Sequence, residues 1–339
     1  MQTKINEDTV YKRLVGIDIL KIFAIVMVVL THTNFYAPFP DLYMNTCVPI
    51  FMIIAAFNNS RKYNVNKFSK IQEWYNKRNF WGYFKRISIP YLFFMLMEII
   101  VLPIVGYAPF SIALLNTVKG GMGPGGYFLF VFAQLFLIFP ILVYFYKKNP
   151  KITLFFAILT QFLMEELFHY VLIPANEFVF TGIYKLTCFK YLFVFILGIF
   201  IFENFKKIKT RHGLIFLIIG IVLGIMRGFN ISSNVFEIDY ILNNIQMASL
   251  VFGLVILTIH LGLHIKNVRF TNAIGFVAGS TLHILLFQQL YFCCCRVLSP
   301  SSPVYLDLIV TLIGGFLIYV VWHIIEKSIK KKKIQKTNL

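Results

Sequence analysis

Apolar runs of 16 to 26 residues, parted by short polar intervals, follow one another along the chain from about residue 16 to residue 325. Helices of roughly 17–25 residues cross a ~30 Å hydrocarbon layer, so these runs read as transmembrane helices. The period-two alternation of a β-barrel is absent. Breaks at Pro, Gly, Asn and Lys/Arg clusters predict spans near 16–34, 43–58, 88–107, 127–146, 152–173, 188–204, 212–229, 239–264, 272–295 and 304–325. The expected fold is all-α, a polytopic membrane helix bundle with about ten transmembrane helices. The second and sixth spans are short, and one of them is expected to be irregular or packed inside the bundle.

The polar intervals test that count. Lys and Arg accumulate in every second one: Lys4 to Arg13, Arg61 to Arg86, Lys147 to Lys151, Lys206 to Arg211, Lys266 with Arg269, and Lys327 to Lys336. These intervals hold 26 of the 32 basic residues, which places both termini in the cytoplasm of a multi-pass cell-membrane protein. Composition agrees: 58% of residues are hydrophobic, against ~45–50% in a soluble globule, and 14% are charged. The net charge of +18 lies between helices and not on a soluble basic domain, so nucleic acid is not an expected partner. The C-terminal lysines instead meet solvent and anionic membrane lipid. No cleavable signal is evident, and the expected organisation is a single membrane domain over 1–339 without a second globular domain. Between Asn58 and Lys85 the polar interval is long enough for an interfacial helix around Trp74 and Trp81. Cys293, Cys294 and Cys295 point ~100° apart on a helix, so they read as packing residues and no metal site is expected.

Four polar groupings lie in this apolar background. In the first span, positions 18, 21, 25, 28 and 32 share one helical stripe, with Lys21 and His32 ~16 Å apart. Asp18, Lys21 and His32 therefore put acid, cation and imidazole on one face. Such groups are costly in hydrocarbon, so they either line a polar cavity or pair at the two rims of the membrane. An imidazole, with its pKa near ~6.5, is suited to general-base work. The second grouping, Phe84 to Tyr91, sets Lys85 and Arg86 at the mouth of the third span, where paired cations suit phosphate and also plain anchoring. The third, Gly120 to Phe128, lacks the Lys and Ser/Thr of a phosphate-binding loop and reads as a re-entrant or lid segment. Gln134 follows it in the same span. The fourth, Gly279 to Phe292, carries Ser280, His283, Gln288 and Gln289, residue types that often bond helices to one another. Glu98, Glu165, Glu166 and His169 are further candidates to line a cavity.

Taken together these segments resemble acyltransferase family 3, multi-pass bacterial enzymes that move acyl groups from acyl-CoA to surface carbohydrates. RLVGIDILKIFAIVMVVLTH is similar to the family's signature of a basic residue, ten residues and a histidine, with Lys21 and His32 in those two places. VPIFMIIAAF resembles the second-span motif, with Ala55 and Ala56 where Ser-Gly is usual. FKRISIPY, GPGGYFLFVFAQLFLIFP and KYLFVFILGIF are similar to the segments at the third, fourth and sixth spans. Gln288 stands where the family commonly has a ninth-span histidine.

The resemblance implies an O-acyltransferase that takes an acyl group, foremost acetyl, from cytoplasmic acetyl-CoA or another acyl-CoA. The acceptor would be a hydroxyl of a cell-surface or lipid-linked glycan. No cofactor is expected to be bound permanently. By the same resemblance His32 is the catalytic base, Asp18 and Lys21 organise the donor or the helix, and Lys85 with Arg86 holds the CoA phosphates. Gln134 or Lys21 would steady the oxyanion, and Glu98, His283 and Gln288 would line the cavity. Two other readings fit the bare sequence: a proton-coupled small-molecule transporter, and a catalytically silent relative that binds acyl donors.

Overall fold

The computed structural model describes residues 14–33, 46–117, 120–166, 186–229 and 239–337, and among these all regular structure is helical. In chain order the α-helices are α1 (Val15–Leu30), α2 (Cys47–Val65), α3 (Ile71–Trp74), α4 (Lys77–Tyr83), α5 (Ile89–Val105), α6 (Phe110–Thr117) and α7 (Tyr127–Lys148). They continue as α8 (Pro150–Glu166), α9 (Leu192–Glu203), α10 (Thr210–Gly228), α11 (Asp239–Leu263), α12 (Val268–Gly279), α13 (Thr281–Leu298) and α14 (Val304–Thr337). A π-helical turn, Phe84–Ser88, joins α4 to α5, and a 3₁₀ turn, Phe189–Tyr191, leads into α9.

Six stretches among the described residues are long and apolar enough to cross a membrane: Lys77–Val105, Tyr127–Lys148, Thr210–Gly228, Asn244–Leu263, Val268–Leu298 and Val304–Ile329. Among the described residues, six of the ten expected spans meet the requirement. Of the other four expected spans, the one on α8 (152–173) extends beyond the described residues, while α1 and α9 are short and α2 ends in the polar stretch Asn58 to Lys62. Their placement supplies the reason. Both short spans, α2 and α9, lie in the core and pack on each other so closely that a Cβ on Gly198 would strike the Ile53 carbonyl and the Ala56 methyl. A helix wrapped by protein need not match the thickness of lipid. The expected ninth span is likewise not one helix, since α12 ends at Gly279 and α13 restarts after the buried Ser280, whose hydroxyl donates to the Val277 carbonyl at 2.7 Å.

Small residues set the other crossings. Gly16 of α1 meets Gly262 and the Thr258 carbonyl of α11, and Gly213 and Gly220 of α10 lie against α11. Close backbone approach of this kind is how helices associate where lipid is as apolar as their side chains. The outward faces of α10 and α14 remain apolar, with Ile215, Ile219, Val222, Ile313, Leu317 and Val321 exposed.

Trp74 is fully buried, which corrects the interfacial placement expected for it, while Trp81 is exposed. The cause lies in α7. Pro140 has no N–H to offer the carbonyl of Phe136 one turn earlier, and the Trp74 indole donates to that carbonyl at 3.2 Å. The Tyr75 hydroxyl donates to the adjacent Leu137 carbonyl at 2.6 Å. The interval between α2 and α5 is thus tied to α7 at the turn before Pro140 instead of lying free on the surface.

Candidate functional site

His32 follows directly on α1. The hydroxyls of its neighbours are spent on the helix end: Thr31 donates to the Val28 carbonyl at 2.7 Å and Thr33 to the Leu30 carbonyl at 2.9 Å. The imidazole is left exposed and lines a cavity of about 170 Å³ together with Val28, Cys47, Gly125, Tyr127 and Leu285. Phe292 of α13 presents its ring to the imidazole at 6.4 Å and 65°, fixing one side of it. The cavity therefore draws its walls from α1, α2, the glycine segment, α7 and α13.

The glycine segment is packed, not splayed open. Gly120, Gly121 and Gly125 have φ of 105°, 100° and 90°, the left-handed region that residues with a Cβ avoid. Gly123 rests against the Gln289 backbone, and a Cβ on Gly126 would strike the Gly120 carbonyl. The Met122 N–H donates to Glu98 Oε2 at 2.9 Å. Glu98, Gln288 and Gln289 are all buried here. Glu98 Oε1 and both amide atoms of each glutamine have no partner among the described residues. A Cβ on Gly125, which lines the His32 cavity, would lie 3.6 Å from Gln288 Nε2. Buried polar atoms of this kind cost about 1–3 kcal/mol apiece unless something answers them. They form a polar shelf behind the cavity wall.

The other expected site residues are distributed as follows. Lys21 Nζ pairs with Asp18 Oδ1 at 3.1 Å, with the carboxylate buried and the ammonium half-buried. Gln134 is held at both ends of its amide, donating to the Leu186 carbonyl at 2.6 Å and accepting from the Cys188 N–H at 3.0 Å. It fixes the approach to the 3₁₀ turn and does not line the His32 cavity. His283 faces α14 between the rings of Tyr319 (5.3 Å) and Trp322 (5.8 Å), also outside that cavity. His169 and the side chains of Glu165 and Glu166 lie outside the described residues.

Lys85 and Arg86 are exposed in the π-helical turn, with Lys85 Nζ 5.2 Å from the Trp81 ring centre. They share their end of the bundle with Lys62, whose ammonium lies 5.5 Å from the Trp74 ring. Partial burial, then the nearby guanidiniums of Arg86 and Arg78, lowers the Lys62 pKa from its ordinary value. Mutual repulsion of this kind is relieved by an anion. Lys147 adds a further cation there, pairing with Glu203 at 4.0 Å and donating to Asn64 Oδ1 at 3.3 Å.

Two cations near His32 escaped sequence reasoning. Lys190 places its ammonium 5.0 Å from the ring of Tyr127, a cavity residue, and Arg296, one helical turn beyond Phe292 on α13, donates to the Tyr107 hydroxyl at 3.2 Å. A signal for them existed. Both belong to the six basic residues that fall outside the alternating Lys/Arg intervals.

Comparison with known proteins speaks to the family of the chain. No curated protein and no solved structure matches the chain. A family profile, described as an acyltransferase domain, matches residues 14–327, from the start of α1 into α14. The chain belongs to the acyltransferase 3 family.

Proposed function

We propose that the protein is a membrane O-acyltransferase that carries an acetyl group from acetyl-CoA, entering at the basic end of the bundle, to a hydroxyl of a surface or lipid-linked glycan. His32 is the base. The observation that carries the reading is the exposed imidazole on the wall of a cavity flanked by unanswered buried polar groups. Support for the direction of transfer comes from the segregation of basic residues, which favours ten crossings with both termini cytoplasmic.

In this mechanism Lys62, Arg78, Lys85 and Arg86 receive the CoA phosphates, and the pantetheine arm extends toward the His32 cavity. The imidazole takes the acceptor's hydroxyl proton as the oxygen attacks the thioester carbonyl. The resulting tetrahedral oxyanion collapses to the ester and expels the CoA thiolate, which leaves with the proton from the imidazolium. Lys190 and Arg296 place positive potential on the side where negative charge develops. Asp18 and Lys21 hold the opposite end of α1 and thereby the register of His32. Glu98 and Gln288 answer polar groups of the acceptor.

The test is release of CoA thiol from acetyl-CoA by purified protein in the presence of glycan acceptors, with product mass as a second readout. Expected is acceptor-dependent release that falls by about 10²–10⁴-fold in His32→Ala protein of unchanged fold. Full transfer by that variant overturns the assignment of the base, and solute uptake by vesicles without any transfer overturns the enzymatic reading.

A further inference from the structure

A second and larger hollow lies away from His32. It is a lateral trench of about 620 Å³, open on one side and bounded by α8, α9, α10 and α11. Its walls are mainly apolar, with Phe162, Phe193, Phe200, Phe216 and Phe252 among them. Apart from Ser249, its polar residues gather at the two ends.

At one end stand Asn204, Lys207 and His212. Lys207 is exposed and sits in the basic interval that also holds Lys206, Lys209 and Arg211. The backbone N–H of Lys209 donates to His212 Nδ1 at 3.0 Å, so the imidazole carries its proton on Nε2 and keeps that N–H as a donor. At the other end the buried Gln161 donates to Asn244 Oδ1 at 2.8 Å, closing the trench with an amide pair. Along α9 the lining runs from Phe193 to Phe200 and on to Asn204, eleven residues or ~16 Å of helical rise. That length is close to the ~15 Å depth of one leaflet of hydrocarbon. Lys207 then stands at headgroup level and the amide pair near the midplane.

We infer that the trench is a resident site for one anionic phospholipid of the leaflet on the basic side, with its phosphate at Lys207 and His212 and an acyl chain along the phenylalanines. Three features select this occupant. A cationic rim meets a phosphate, an aromatic wall meets a hydrocarbon chain, and the length is that of a leaflet and not of the whole membrane. The volume falls within the ~300–1,000 Å³ of sites for small ligands. Ser249 on α11 lies in the wall, and its small side chain leaves room for the chain there. The inference requires the membrane location of the bundle and is independent of the acyl-transfer reading.

Native mass spectrometry of the full-length protein in detergent, offered phosphatidylglycerol and phosphatidylcholine of identical chains in equal amounts, tests it. The wild type is expected to retain one phosphatidylglycerol, at least about fivefold in preference to phosphatidylcholine. Lys207→Glu, a change at an exposed position, is expected to abolish that preference. Ser249→Trp is expected to lower retention of both lipids, with an unchanged elution profile and melting temperature certifying its fold. Equal retention of the two lipids by the wild type overturns the proposal, as does an undiminished preference in Lys207→Glu. Displacement of the lipid by acetyl-CoA overturns it in favour of a donor site.

Discussion

The two ends of the bundle are built on opposite principles. At the basic end, Lys62, Arg78, Lys85, Arg86 and Lys147 crowd together, several of them resting on aromatic rings, so the charge is redundant and no one residue carries it. At the His32 end the groups are individually placed and do not stand in for one another: the exposed imidazole, the buried Glu98 carboxyl, and a glycine segment whose backbone admits no Cβ at Gly126. The difference predicts how each end fails. Loss should be graded and salt-sensitive at the first, abrupt and insensitive to salt at the second.

The largest expected effect is therefore at His32. His32→Ala should lower the turnover rate of acetyl transfer by about 10²–10⁴-fold while leaving KM for acetyl-CoA within about twofold, because in the proposed mechanism the donor's phosphates are held at the far end. Steady-state kinetics at two ionic strengths would check it. A rise in KM with kcat intact would place the imidazole in donor binding and dissolve the contrast between the ends.

Glycines give the next contrast. A methyl on Gly126 meets the Gly120 carbonyl, so Gly126→Ala should cost about 1–3 kcal/mol of stability. Gly82, in α4 at the basic end, has nothing within 4 Å of an added Cβ, and Gly82→Ala should gain up to about 1 kcal/mol from helix propensity alone. Melting temperatures in one detergent decide both, and equal shifts would show that the glycine segment is not tightly packed.

Much of this is legible in the sequence, and the reasons for the rest are physical. Hydrophobic run length announces a helical membrane protein, and the family resemblance finds the first-span signature. Run length does not announce that the second and sixth runs pack on each other, because that depends on which small residues face which: Gly198 against Ile53 and Ala56 is a tertiary fact. Gln134 reads as an oxyanion donor because an amide in a span must bond something, and pattern alone does not show that its partners are the backbones of Leu186 and Cys188. His283 and His32 look alike in sequence, yet one is enclosed by Tyr319 and Trp322 and the other opens on a cavity. Trp74 reads as an interfacial anchor because the carbonyl that Pro140 leaves unpaired lies 62 residues away in the chain.

Redundancy at the basic end sets a smaller effect for any one cation. Arg86→Gln should raise KM for acetyl-CoA by about fivefold, the worth of roughly 1 kcal/mol, and leave kcat unchanged. The double variant with Lys62→Gln should raise it further, and both effects should shrink as salt screens the cluster over its ~8–10 Å Debye length. A hundredfold loss from Arg86→Gln alone would mean that this end, too, depends on a single group.

The smallest effect is local and set by pH. Backbone N–H groups of Ser69 and Lys70 donate to Glu73 Oε2 at 2.6 and 3.2 Å, and these bonds hold the Glu73 carboxyl below its ordinary pKa. A carboxyl whose pKa is depressed by folding contributes its stabilisation above the unfolded value of ~4.3, and that contribution disappears as pH falls through the lower folded value. α3 is one turn long, so losing this cap should fray Ile71–Trp74 without unfolding the bundle, which the Trp74 indole still anchors to α7. Hydrogen exchange at the amides of α3 should accelerate on acidification below the ordinary carboxylate range, and in Glu73→Gln it should be fast throughout and flat with pH once intrinsic exchange is divided out. If the wild-type profile cannot be told apart from that variant's, the cap contributes nothing, and the order seen at the basic end comes from its aromatic contacts alone.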